Sequence, residues 1–80
     1  MTENLNTDKK SVGAKEVKRA LDTGKAKTVY IAEDAEEKVV GNIIKSCNEG
    51  QIPIIYVENM KKLGEVCKID INAAVAVLLK

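Results

Sequence analysis

The chain has 80 residues and carries 13 Lys or Arg against 12 Asp or Glu, which gives a net charge of +1. Its length predicts one small domain, and an apolar share of 45% argues against intrinsic disorder. Because it has no His and its two cysteines lack the Cys-x-x-Cys spacing, the composition argues against a zinc site and against His-based catalysis. No signal peptide and no apolar run of membrane length is visible, so we expect a soluble cytoplasmic protein without a cofactor.

The predicted elements alternate between helices and apolar strands. Polar residues 1–10 predict a flexible or weakly helical segment, which precedes a single domain over residues 11–80. Apolar, β-branched strands that alternate with amphipathic helices indicate an α/β domain with a central sheet covered on both faces. Cys47 and Cys67 each lie in a helical apolar pattern, which predicts two buried free thiols. In chain order, the pattern predicts a short edge strand at residues 11–12, a helix at 14–23, a strand at 28–32, a helix at 35–49, a strand at 52–57, a helix at 61–68, a turn at 69–72 and a strand at 73–79.

Glycines and one acidic residue mark the predicted helix ends. Gly24 and Gly50 stand where helices commonly terminate in a left-handed glycine. Asp34 precedes the second predicted helix and Glu37 follows three residues later, which is the spacing of an N-terminal capping box. Glu33 and Asp34 form a close carboxylate pair, but capping explains Asp34 better than catalysis does.

The helix that follows Gly13 has the clearest functional pattern. Gly13 lies at the helix start, where unpaired backbone N–H groups attract an anion such as phosphate. Lys15 and Arg19 are four residues apart and project near that end, and Glu16 between them supplies an acceptor for the edges of nucleic-acid bases. An alternative stays open, in which Glu16 and Arg19 form an ordinary ion pair on a solvated helix face.

The charges are unevenly distributed along the chain. Residues 1–27 carry seven Lys or Arg against four Asp or Glu, whereas residues 28–50 carry two against five. A weaker basic region contains Lys61, Lys62 and Lys68. If the two basic regions meet in space, the domain has one basic side and one acidic side.

Four segments together resemble one protein family. They are residues 12–21 (VGAKEVKRAL), residues 29–35 (VYIAEDA), residues 52–57 (IPIIYV) followed by 60–64 (MKKLG), and residues 67–69 (CKI) before the Ala-rich last strand. In this order and spacing they resemble the kink-turn RNA-binding ribosomal protein superfamily, of the L-seven-Ae and L-thirty-e types, and most of all its small bacterial YbxF-type members. The resemblance covers residues 11–80.

The resemblance implies an α-β-α sandwich, ribosomal-protein L-thirty-e-like, with a central mixed sheet of about four strands. It implies a non-enzymatic protein that binds a kink-turn, a sharply bent RNA internal loop beside tandem sheared G·A pairs. Gly13 would let the chain approach the RNA backbone, and Ala14 beside it replaces a Thr that is frequent in the family. Lys15 and Glu16 would read guanine edges, and Arg19 would contact bases or phosphate. The other residues implied to bind RNA are Asp34 at the edge of the surface, Glu58, Asn59 and Met60 on the extruded nucleotides, and Lys61 and Lys62 near the backbone.

The expected partner is a structured RNA, including that of the ribosome, and nothing in the sequence demands more than a monomer or points to a membrane. Two alternatives stay open. The fold could be a protein–protein interaction module of a ribonucleoprotein, which a large exposed apolar patch would favour. The chain could instead be the RNA-binding accessory of an RNA-modifying enzyme, whose activity would then need a partner chain.

Overall fold

The computed structural model describes residues 10–66 and 73–80. In these residues strands and helices alternate as predicted, and the observed ends of each element differ from the predicted ends by no more than two residues. Residues 1–9, the predicted turn at 69–72, the predicted end of the third helix and Cys67 lie outside the described residues. No helix in the described ranges is long and apolar enough to cross a bilayer. The elements are β1 (Lys10–Val12), α1 (Ala14–Asp22), β2 (Ala26–Ala32), α2 (Glu37–Gly50), β3 (Ile54–Val57), α3 (Met60–Val66) and β4 (Val75–Leu79).

The strands form one mixed sheet in the order β1-β4-β2-β3. β4 pairs antiparallel with β1 and with β2, whereas β2 and β3 are parallel. A parallel pair needs a crossover connection, which α2 supplies between β2 and β3. The core cluster on one face of the sheet includes α1 and α2, and the cluster on the other face includes α3. The chain is therefore an α-β-α sandwich, which confirms the predicted fold class.

β2 shows why the strand sequences are apolar throughout. Val29 and Ile31 enter the cluster beneath α1 and α2, while Tyr30 and Ala32 enter the cluster beneath α3. All four side chains are at most 1% exposed, because helices cover both faces of the sheet. Leu63 anchors α3 in the second cluster, and full burial of such a side chain stabilises the fold by about 1.5–3 kcal/mol.

Cys47 on α2 is a free thiol and is fully buried in the cluster beneath α1 and α2, which confirms the prediction for this cysteine. Burial raises the pKa of the Cys47 thiol above its ordinary value of 9.0, because the apolar surroundings disfavour the thiolate. Since the thiolate is the reactive form, Cys47 acts as a small apolar core residue.

The C-terminal ends of α1 and α2 differ in the residue that turns the chain. Gly24 is left-handed after α1 (φ 72°), which confirms its predicted role. Gly50, however, is still helical, and Gln51 takes the left-handed conformation after α2 (φ 58°, ψ 39°). The N–H of Ile52 donates to the carbonyl of Cys47 at 2.8 Å, and Ile52 packs against the core. The prediction that Gly50 is the left-handed residue after α2 is therefore wrong by one residue, because the packing of the partly buried Ile52 against the core sets the position of the turn.

The start of α2 also differs from the prediction. Glu36 is the residue before the helix, with extended backbone (φ −63°, ψ 134°) and without a side-chain capping hydrogen bond. Asp34 lies further upstream in a turn in which the N–H of Ala35 donates to the carbonyl of Ala32 at 3.1 Å. The prediction that Asp34 caps α2 in a capping box with Glu37 is therefore wrong. Glu37 does lie in the first turn, where its charge is favourable toward the helix dipole.

Candidate nucleic-acid interface

The strand registers bring the starts of the helices to one end of the sheet. β1 ends at Val12 opposite Ala76, and β2 ends at Ala32 opposite Val57. Because β4 is antiparallel to β1 and β2, the last residues of β1 and β2 lie beside the first residues of β4, and β3, which is parallel to β2, ends at the same end of the sheet. Each of these three strands is followed by a helix, so α1, α2 and α3 all begin at this end, here called the helix-start end. The positive ends of the helix dipoles point toward it, which favours anions there.

Backbone hydrogen bonds hold the connecting segments together at the helix-start end. The N–H of Gly13 donates to the carbonyl of Val75 at 3.0 Å. The N–H of Ala32 donates to the carbonyl of Ala74, just before β4, at 2.9 Å. The N–H of Glu33 donates to the carbonyl of Val57 at 2.8 Å. These hydrogen bonds join the loops at this end to the paired strands, and they therefore fix the position of one helix start relative to the next.

The chain enters α1 through a backbone conformation that requires glycine. Gly13 has φ 108° and ψ 151°, a region that residues with a Cβ rarely adopt. A Cβ at this position would meet no heavy atom within 4 Å, so the requirement comes from the backbone angles and not from crowding. No side chain caps α1, which leaves its first-turn N–H groups without a side-chain partner. The first-turn N–H groups of α1 therefore lack a side-chain cap, and the space where a Cβ of Gly13 would stand is open.

The predicted α1 residues lie on one exposed arc of the helix. At about 100° per residue, Arg19 lies about 40° from Lys15 and about 60° from Glu16 on the other side. Lys15 and Arg19 are exposed and Glu16 is half-buried. Glu16 and Arg19 line a hollow of about 140 Å³ beside Ser11 and Leu79. In the part of the chain that the structure describes, no ion pair joins Glu16 and Arg19, so the ordinary-pair alternative has no support there.

Two side chains from different parts of the chain cap the start of α3. The N–H of Lys62 donates to the side-chain Oδ1 of Asn59 at 2.7 Å, which is a local N-terminal cap. The N–H of Met60 donates to the carboxylate Oδ1 of Asp34, 26 residues upstream, at 2.8 Å. Asp34 therefore caps α3 instead of α2 and connects the loop after β2 to the loop after β3.

The loop at residues 58–62 forms the second predicted contact region. The carbonyl of Met60 accepts a hydrogen bond from the N–H of Ala73 at 3.1 Å, so the chain returns to this loop just before β4. The loop follows β3, whereas α1 follows β1, and these strands are the two edges of the sheet. Three strand spacings of about 4.8 Å separate the ends of these two edge strands by about 14 Å. In the loop, Glu58, Lys61 and Lys62 are exposed, and Asn59 and Met60 are half-buried.

Acidic side chains lie between the two contact regions. Glu33, Asp34 and Glu36 are exposed in the loop after β2, and β2 is an inner strand. The two basic regions do not meet here, so the condition for one basic side and one acidic side is not fulfilled, and the acidic loop reaches the same end of the sheet as the basic residues. Within residues 10–66 and 73–80, no group of three or more side chains is arranged to hold a metal ion.

The sequence did not reveal a groove between α1 and α2. This groove, the basic groove, has a volume of about 400 Å³ and is lined by seven residues, which are Ala14, Lys15, Lys18, Lys38, Val39, Asn42 and Ile43. Only the three-residue spacing of Lys15 and Lys18 could have indicated part of it. The contribution of α2 depends on how the two helices pack, which the sequence pattern does not specify.

Two known proteins that are similar in sequence are named RNA-binding proteins. The RNA-binding protein YbxF of Geobacillus stearothermophilus is 38% identical over 76 residues, which are 95% of this chain and 93% of that protein. An RNA-binding protein of Caldanaerobacter subterraneus subsp. tengcongensis is 48% identical over 68 residues, 85% of this chain and 83% of that protein. Both are named as RNA-binding proteins and not as enzymes, in agreement with the expectation from the sequence.

A solved structure agrees with the fold. The 15.5kD RNA binding protein of Giardia lamblia superposes with a TM-score of 0.88 at 25% identity, covering 99% of this chain and 67% of that chain. The family model of the ribosomal protein L7Ae/L30e/S12e/Gadd45 family matches residues 2–80. The resemblance stated from four short segments is thus confirmed over nearly the whole length, and the chain belongs to the ribosomal protein L7Ae/L30e/S12e/Gadd45 family.

Proposed function

We propose that this protein binds RNA, and that its target is a kink-turn whose bent form it stabilises without catalysing a reaction. The main support is that the α1 face and the loop at residues 58–62 lie at the same end of the sheet, after edge strands whose ends are about 14 Å apart. Membership of the family and relatives named as RNA-binding proteins support the proposal as well.

In the proposed complex, α1 reads the sheared G·A pairs. Gly13 and Ala14 let the RNA backbone approach the unsatisfied N–H groups of the first turn. The carboxylate of Glu16 accepts hydrogen bonds from guanine amino and imino groups, and Lys15 and Arg19 donate to base acceptors or phosphate. Since no internal ion pair occupies Glu16 and Arg19 in the described chain, the RNA displaces no protein partner there.

The loop at residues 58–62 contacts the nucleotides that a kink-turn extrudes. Residues 58–60 pack on the unstacked nucleotides, and the half-buried Met60 offers an adaptable apolar surface for them. Lys61 and Lys62 bind the nearby phosphates. Asp34 holds the loop through the N–H of Met60. The acidic residues between the two regions repel phosphate, so the RNA backbone is directed to the basic regions on either side.

The protein stabilises the bent conformer because only the bent RNA reaches both contact regions. An RNA that interconverts between extended and bent forms is shifted only by the difference in affinity for the two. A shift from 1:99 to 99:1 requires a preference of about 5.5 kcal/mol. Contacts at both regions contribute to that preference, since an extended RNA loses one of them.

The test is a titration of a kink-turn RNA beside the same RNA with its G·A pairs changed to Watson–Crick pairs. Physiological salt is used, because low salt favours binding by any basic surface. Tight binding to the kink-turn alone is expected. Glu16→Ala should cost about 1–3 kcal/mol on the kink-turn and weaken discrimination, whereas Lys61→Ala should weaken binding of the two RNAs more evenly and reduce its salt dependence. Equal, weak binding of both RNAs by the unaltered protein would contradict the proposal.

We further propose that the protein acts as a monomer in the cytoplasm, associated with the ribosome or another ribonucleoprotein. One α1 face and one loop complete the proposed site, so no second copy is required. Sedimentation of a cell extract through a sucrose gradient, with and without ribonuclease, tests this association. Ribonuclease-sensitive migration with large particles is expected, and a protein that stays entirely in the free fraction contradicts it.

A further inference from the structure

All of the charged side chains that line the basic groove between α1 and α2 are positive. Lys15 and Lys18 border it from α1, and Lys38 borders it from α2, with no carboxylate among the lining residues. All three lysines are exposed. The hollow on the other side of α1 differs in this respect, because its lining includes the carboxylate of Glu16. Like charges gathered around one groove repel each other, and a bound anion relieves that repulsion.

The chemistry of the groove suits a sugar–phosphate chain. The lysine ammonium groups and the amide of Asn42 are hydrogen-bond donors for phosphate oxygens. Val39 is 37% exposed and lies beside these donors, where it offers an apolar surface to a ribose. An open groove with donors at its rim and an apolar patch inside matches a chain of alternating phosphates and sugars.

We propose that the basic groove binds the backbone of the same RNA, along the stem that continues from the G·A pairs. This inference rests on the proposed function. Lys15 belongs both to the α1 face that reads the bases and to the groove, and Lys38 lies near the start of α2 at the helix-start end. Lys18 is about 4.5 Å further along α1 than Lys15. The groove is therefore continuous with the base-reading face, and this continuity favours RNA over an acidic protein surface.

The experiment measures how affinity for the kink-turn RNA depends on salt for two double variants. K18Q/K38Q removes two groove charges. K27Q/K45Q removes two exposed charges that do not line the groove and serves as the matched control. On a duplex stem each lost phosphate contact reduces the magnitude of the slope of log K against log salt by about 0.9, so K18Q/K38Q should reduce it by about 1.8. If affinities coincide at 1 M salt, this corresponds to about 60-fold weaker binding at 0.1 M.

Discrimination between the kink-turn and its Watson–Crick version should stay unchanged in K18Q/K38Q, because phosphate contacts carry no sequence information. A slope for K18Q/K38Q equal to that of K27Q/K45Q overturns the inference, and so does a loss of discrimination. Failure of the proposed function is a separate result, since the unaltered protein then fails to distinguish the two RNAs. Thermal unfolding of both double variants should match that of the unaltered protein, because exposed substitutions change stability by about 0.5 kcal/mol or less.

Discussion

Replacement of Asp34 by alanine removes the acceptor that connects two loops of the proposed interface. The N–H of Met60 donates to this carboxylate at 2.8 Å across 26 residues of sequence, so the bond restrains the loop from outside its own segment. A capping hydrogen bond of this kind contributes about 1 kcal/mol. Asn59 still caps α3 through the N–H of Lys62, and Leu63 still anchors α3 in the core. We therefore expect Asp34→Ala to loosen the loop and to leave the fold intact.

The loosened loop must be ordered again when RNA binds, so the lost free energy appears in the affinity. A loss of about 1 kcal/mol corresponds to about fivefold weaker binding of the kink-turn RNA. Asp34→Asn is the matched control, because the amide keeps an acceptor oxygen where the carboxylate oxygen lies. Its affinity should stay within about twofold of that of the unaltered protein, a difference of roughly 0.4 kcal/mol.

Hydrogen exchange of the backbone amides shows where Asp34 acts. Asp34→Ala should speed the exchange of the Met60 amide and leave the first turn of α2 unchanged. Three results would refute the reasoning. The first is an Asp34→Ala variant that binds the RNA as tightly as the unaltered protein, and the second is an Asp34→Asn variant as weak as Asp34→Ala. The third is lost protection in α2 in place of Met60, since a cap of α2 predicts that pattern.

Three further predictions concern stability. Gly13→Ala should lower the free energy of unfolding, measured in urea, by about 1–3 kcal/mol because Gly13 has a positive φ. Gly41→Ala is the control, because Gly41 lies in helix α2 with equally open space, and it should raise the free energy of unfolding by about 0.5–1 kcal/mol. Similar effects at both sites would contradict the backbone argument. Gln51→Gly should raise the free energy of unfolding by about 0.5–1 kcal/mol, because glycine adopts the left-handed conformation without strain. A destabilised variant would contradict this prediction. Because burial raises the pKa of the Cys47 thiol, the folded protein holds this proton to higher pH than the unfolded chain does, so stability should fall as the pH rises past the ordinary thiol pKa of 9.0. The free energy of unfolding of Cys47→Ala should fall less steeply in that range, and parallel slopes would exclude this contribution.

Local patterns in the sequence were sufficient to predict the elements and one half of the candidate site. Apolar residues recur at helical spacing in α1 and α2, which predicts helices with one buried face. The strands are apolar on both sides because helices cover both faces of the sheet. Gly13 and Gly24 were assigned correctly because a glycine at a helix end acts through its own backbone angles. The arc with Lys15, Glu16 and Arg19 follows from helix geometry alone.

Predictions failed where a distant contact outweighed a local rule. Asp34 stands at capping distance from α2 in the sequence, yet its carboxylate accepts a hydrogen bond from the start of α3. Gly50 is the expected helix end, yet the packing of Ile52 against the core moves the turn to Gln51. In both cases a tertiary contact and a local propensity compete at a similar magnitude, about 1 kcal/mol, and a single favourable contact decides.

The sequence by itself determined the alternation of helices and strands, the glycine that opens α1 and the charged arc of that helix, because these depend on residues within a few positions of one another. Tertiary structure alone decided that the α1 face, the acidic loop and the loop at residues 58–62 share one end of the sheet, since this depends on the strand order β1-β4-β2-β3. It also decided that Lys18 and Lys38 border one groove, because helix packing brings together side chains 20 residues apart in the chain.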